Sequence, residues 1–156
     1  MEVYLVDLGG GNPCPKIVKS VKHLFENESV TKIIHDCRKD CDALYHHHGI
    51  KVRNVHDTSC FHDVITYSES KSLNNVLSYN GISVNSVQDN SIYNYNPRFW
   101  ATRPLTNKMI DWASSDVDKL FALANKQLRR TPNASKSKAV AKTAKYSCHS
   151  QYESLH

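Results

Sequence analysis

The stretch NPRFWATRPLTNKMIDWASSDVDKLFALANKQLRR, Asn96 to Arg130, decides how the rest of the chain is read. It opens on a turn-former, Asn96-Pro97, followed by the aromatic pair Phe99 and Trp100. Arg103-Pro104 comes next, and the proline biases Arg103 toward extended backbone. Thr106 stands where a helix N-cap is needed. Beyond it Met109, Ile110, Ala113, Val117, Leu120, Phe121, Ala124 and Leu128 recur at helical spacing, which predicts an amphipathic helical run. Trp112 and Asp116 are four residues apart and so share one face. Taken alone, that pair is an aromatic packed at a helix shoulder beside a solvated carboxylate.

Working outward, a second stretch gives the pair more meaning. In Thr31 to Ile50, Ile33 and Ile34 predict a buried strand, which turns through His35-Asp36 into a helix carrying Asp40, Ala43, Leu44 and Tyr45. An acid just past a strand end and a second acid on a late helix form a layout that can serve one metal site.

The remaining segments predict an alternation of strands and helices. Val3 to Val6 reads as a short buried strand, ended by Asp7-Leu8 and the run Gly9 to Gly11, which lacks the Lys-Ser/Thr ending of a phosphate-binding loop. Asn12 to Pro15 opens a helix with an apolar stripe of Ile17, Val18, Val21, Leu24 and Phe25. Lys51 to Val55 reads as a third strand, Asp57-Thr58 as a helix start, and Leu73, Val76 and Leu77 as a short helix stopped at Asn80-Gly81. Ser83 to Tyr95 is polar and predicts a surface loop. Such an order favours a parallel sheet covered by helices. After Arg130 the lysines Lys136, Lys138, Lys142 and Lys145 sit among Ser, Ala and Thr, so residues 131–156 are expected to be a mobile basic tail behind a single domain at 1–130.

A length of 156 residues allows one domain with a sizeable core, and the net charge of +5 suits a polyanionic partner. No apolar run approaches a membrane span, and no signal-peptide pattern follows Met1, so a cytoplasmic or nuclear setting and no membrane partner are expected. Five cysteines without a regular framework point to reduced thiols. Cys37 and Cys41, near His46 to His48, match no closed zinc spacing and read as packing.

The run Lys32 to Asp40, KIIHDCRKD, followed by Gly49-Ile50 and Asn54 to Thr58, resembles the second motif region of 3′–5′ exonucleases of the DEDD superfamily. Trp100, Arg103-Pro104-Leu105 and Trp112 to Val117 resemble the third motif region of its ribonuclease D-like branch, which includes Egalitarian and the exonuclease domains found with KH domains. The likeness runs from about Val3 to Arg130. It implies an α/β, ribonuclease H-like exonuclease fold with a mixed sheet flanked by helices. It also implies 3′–5′ exonuclease action on nucleic acid, RNA in the first place, by two-metal phosphodiester hydrolysis with Mg2+ or Mn2+.

By resemblance Asp40 and Asp116 are the catalytic, metal-holding acids, and Trp112 takes the place of the tyrosine that precedes the last aspartate in the active branch. An indole N–H donates but cannot accept a hydrogen bond, so it does not replace the phenol. Arg38, Lys39 and Arg103 lie in the matching regions as candidate phosphate contacts, with Trp100 as a stacking surface for single-stranded RNA. The structural reading of the same residues has Arg103 pinning a loop through a carboxylate and Trp100 in the core. The family's first motif, Asp-x-Glu on an opening strand, has no counterpart: two residues after Asp7 stands Gly9. The chain therefore reads as this fold beginning after its first hairpin, through a late start at Met1 or as a degenerate relative. An exposed sheet edge open to self-association or a partner protein would follow. Impaired hydrolysis, or a catalytically inactive RNA- or protein-binding module, is the alternative that these departures imply.

Overall fold

The computed structural model describes residues 2–8, 14–68, 72–87, 89 and 91–147. The Gly9 to Gly11 run, Cys148 and the rest of 148–156 lie outside the described residues. Pro15 begins helix α1 (Pro15–Glu26) at the position where a missing N–H costs nothing. Strand β1 (Lys32–Ile34), helix α2 (Arg38–His48) and strand β2 (Val55–Asp57) then form one parallel crossover unit, with Lys32 opposite Val55, Ile33 opposite His56 and Ile34 opposite Asp57. Gly49, at φ 62°, ends α2 in the left-handed region. From there its N–H reaches the Tyr45 carbonyl at 2.8 Å, and the Ile50 N–H reaches that of Leu44 at 3.1 Å.

Helix α3 (Thr58–Thr66) leaves β2 without a loop, and α4 (Leu73–Tyr79) ends at Asn80-Gly81 as its sequence predicts. A single turn α5 (Ile92–Tyr95) and a 3-10 turn (Phe99–Ala101) lead to α6 (Asn107–Ser115), α7 (Leu120–Arg130) and α8 (Asn133–Ser147). The result is a mostly helical α/β domain with a small parallel sheet, consistent with the ribonuclease H-like exonuclease fold. In the described residues the sheet has two parallel strands rather than a larger mixed set. No helix among them is long and apolar enough to cross a membrane.

Four expectations are corrected. Val3 to Val6 does not form a buried strand: residues 2–8 join no strand ladder, and Tyr4, Leu5 and Val6 are 76%, 41% and 49% exposed. The third strand falls at Val55–Asp57, just beyond the predicted Lys51–Val55. The apolar run after Thr106 is two helices, because the turn at 116–119 resets the helical phase. Leu120, Leu123, Ala124 and Gln127 become the buried i, i+3, i+4, i+7 face of α7, while Ile110, Val117, Phe121 and Leu128 are exposed. Thr106 does cap α6, its hydroxyl accepting the Met109 N–H.

The fourth correction concerns the C-terminus. Residues 131–147 are not a mobile tail: Asn133–Ser147 is a helix seated chiefly on α3 and also on β2 and α2. Ala139 and Thr143 are its buried contacts, small enough for close approach, and Lys142 reaches the buried carboxylate of Asp63 at 2.5 Å. Alanine and lysine are also strong helix formers. The ordered domain therefore continues through Ser147.

Candidate functional site

The geometry at the ends of the two strands is organised by Asp57, the last residue of β2 and the N-cap of α3. Its side chain is fully buried. Left unpaired, a carboxylate there would cost several kcal/mol. It instead accepts the backbone N–H of Asp36 at 3.0 Å, of Cys37 at 2.9 Å and of Ser59 at 2.8 Å, plus the Ser59 hydroxyl at 2.8 Å. These bonds fix the His35–Cys37 turn, and with it the start of α2. His35 adds a bond from its ring Nδ1 to the Thr58 hydroxyl at 2.8 Å.

Asp36 occupies the left-handed region at φ 55° and grips the Arg38 guanidinium with both oxygens, at 2.6 and 2.8 Å. That bond holds the Asp36 carboxyl below its ordinary range. Arg38 also lies 4.8 Å from the centre of the Tyr146 ring on α8. Asp40 faces solvent on the first turn of α2. Lost hydration, then the negative charges of Asp36 and Asp57, push its carboxyl above the ordinary range. Lys39 beside it is exposed.

The second acid sits in different surroundings. Asp116 closes α6, and its carboxylate accepts the Asn85 side-chain amide at 2.8 Å. Asn85 is itself buried and clasped by Asn74, through Asn85 N–H to Oδ1 at 2.8 Å and Asn74 Nδ2 to the Asn85 carbonyl at 3.0 Å. Trp112 is 3% exposed, packed with Phe99, Met109 and Ile92. Trp100 is 36% exposed, its ring meeting that of Trp112 edge-on at 5.5 Å. Arg103 spends its donors on both Asp7 oxygens, at 2.5 and 2.8 Å, and on the carbonyls of Trp100 and Thr102.

The structure thus gathers Trp100 and Trp112 into one aromatic group, and Arg38, Lys39 and Asp40 onto one helical turn. Asp40 and Asp116 are tied to different neighbours. Among the described residues no three His, Cys, Asp or Glu side chains form a group able to hold a metal ion. The described residues therefore do not make a complete metal centre. Asp36 and Asp57 were not among the predicted site residues, although Asp57-Thr58 was legible as a helix start. Asn85 lies in the predicted loop, 31 residues from the acid it holds, and no local pattern marks it.

The family model for 3′-5′ exonuclease matches residues 3–131. The chain belongs to the 3′–5′ exonuclease family. Its relatives include the piRNA biogenesis protein EXD1 of Bombyx mori, 34% identical over 77 residues, which are 44% of this chain and 24% of that protein. The Egalitarian protein homolog of Caenorhabditis elegans is 31% identical over 97 residues, 56% of this chain and 17% of that protein. Ribonuclease D of Nitrobacter hamburgensis is 28% identical over 112 residues, 69% of this chain and 27% of that protein. This exonuclease-family chain is matched over little more than a quarter of its relatives' length at most. Exonuclease domains of this superfamily act on nucleic acid and generally use divalent metals.

Proposed function

We propose that this chain engages single-stranded RNA at its 3′ end as an exonuclease-type domain. In this reading Asp40 and Asp116 are its acids toward Mg2+ or Mn2+, and hydrolysis by the chain alone is weak. The observation that carries the proposal is the family match over residues 3–131 together with the placement of Asp40 on the first turn of α2. Asp40 is a solvent-facing carboxylate held above its ordinary range by lost hydration and by two neighbouring acids. A divalent cation would relieve that repulsion, whereas Asp36 is already neutralised by Arg38 and Asp57 by its four donors. Lys39 and the exposed part of Trp100 are surface offered to RNA. Arg38 and Arg103 are spent on Asp36 and Asp7 and act as positioning residues.

A second reading, a non-hydrolytic RNA- or protein-binding module, is favoured by the burial of Trp112 at the position of the family's tyrosine. A 3′-labelled single-stranded RNA incubated with Mg2+ or Mn2+ separates the two. The first expects slow metal-dependent nucleotide release that falls at least about tenfold in Asp40→Ala and in Asp116→Ala, a loss of roughly 1.4 kcal/mol or more in transition-state stabilisation. Binding without release identifies the second. Absence of both binding and release overturns both, and release that survives both substitutions betrays a contaminating nuclease.

A further inference from the structure

We propose that α8, beyond the segment that matches the exonuclease family, is a phosphate-binding rail that seats the RNA strand beside Asp40. The inference rests on the reading of the chain as an RNA-engaging domain and adds the surface that does the engaging. Helix α8 carries four lysines and no Asp or Glu. Lys138, Lys142 and Lys145 fall at i, i+4 and i+7, on one side of the helix. Lys142 is committed to the nearly buried Asp63, whose carboxylate outweighs the effect of burial and raises the ammonium above its ordinary range. Lys138 and Lys145 are exposed, about 10.5 Å apart along the axis at 1.5 Å per residue.

The seat of α8 makes this charge useful. Tyr146 packs against the Cys37, Cys41 and Val52 cluster beneath α2. Its ring lies 4.8 Å from the Arg38 guanidinium and 5.6 Å from the Lys142 ammonium. The end of α8 is thereby locked against the first turn of α2, which bears Lys39 and Asp40. Lys145 neighbours Tyr146 along α8 and Lys39 neighbours Asp40 on α2, so this contact brings positive charge on both helices to the same side of the fold. A polyanionic strand lying along these lysines would bring its phosphodiesters toward Asp40, while the nearby Asp36 and Asp63 are already paired.

The test measures affinity of the full chain for a single-stranded RNA against salt concentration, for wild type, Lys138→Ala/Lys145→Ala and, as a control of equal charge loss, Lys16→Ala/Lys19→Ala on α1. Circular dichroism verifies the folding of each. Two lost phosphate contacts should flatten the log–log salt slope by about 1.4 and weaken binding roughly 10- to 30-fold near 0.1 M salt, with the α1 control close to wild type. If the wild type binds and both double variants lose affinity equally, the attraction is diffuse and α8 is no rail. An unchanged α8 variant also overturns the inference while leaving the proposed function standing. A wild type that fails to bind RNA overturns both.

Discussion

Around Asp57 the molecule is held by hydrogen bonds to one buried carboxylate, and around Trp112 by the packing of rings and sulfur. The first arrangement leaves a neighbouring acid, Asp40, at the surface with its carboxyl raised by lost hydration and then by like charge. The second fixes its acid, Asp116, through the buried amide of Asn85 and turns the aromatic side chain beside it inward. Two motif regions that the family uses for one purpose have thus been given different physical tasks in this chain. In one the acid lies exposed beside other carboxylates, and in the other the aromatic side chain next to the acid is part of the core.

Three experiments bear on that contrast. Trp112→Ala should cost the most, about 3–5 kcal/mol in urea unfolding, as for other large aromatic truncations in a core. A loss under about 1 kcal/mol coupled to lost RNA binding would instead make Trp112 a substrate contact and erase the contrast. Asp57→Ala removes a helix cap and strands the N–H groups of Asp36, Cys37 and Ser59, so a loss of about 3 kcal/mol is expected. Asp57→Asn, which keeps an acceptor oxygen, should lose less; equal losses would mean that the charge rather than the bonding pattern holds the turn.

The smallest effect, with the opposite sign, belongs to Asp40→Asn. Folding raises the Asp40 pKa, so ionisation is penalised in the folded state. The stability that the protonated carboxyl contributes is fully present below the ordinary value of 3.8 and is lost as pH rises through the folded pKa. The uncharged amide should therefore make the protein more stable at pH 7, by less than about 1 kcal/mol because solvent at the exposed side chain screens the neighbouring charges, with the advantage closing toward pH 4. Thermal unfolding across that range measures it. A destabilised amide variant at pH 7 would show that folding does not penalise the ionised Asp40.

What the sequence made legible was local. Thr106 as a cap, Asn80-Gly81 as a stop and the Ile33-Ile34 strand each depend on a few adjacent residues, and each is found. The acids Asp40 and Asp116 were singled out because the order and spacing around them resemble a family. The face that α7 buries was not, since a turn at 116–119 shifts the phase and a continuous helical count then selects Phe121 rather than Leu123. The clasp of Asn85 on Asp116 and the pairing of Asp7 with Arg103 join residues 31 and 96 apart, and no short window can contain them. Helix α8 was hidden by composition: lysines among small residues read as a solvated tail until a docking face of Ala139 and Thr143 gives them something to lie on.

That docking places the true end of the folding unit beyond the span of family likeness. A protein cut at Thr131 would keep every motif residue. It would also uncover α3, leaving the buried carboxylate of Asp63 without its ammonium partner and the underside of α2 without Tyr146. Boundaries drawn from homology alone would yield a polypeptide poorly able to stay in solution, and its silence in an assay would say nothing about what the intact domain does.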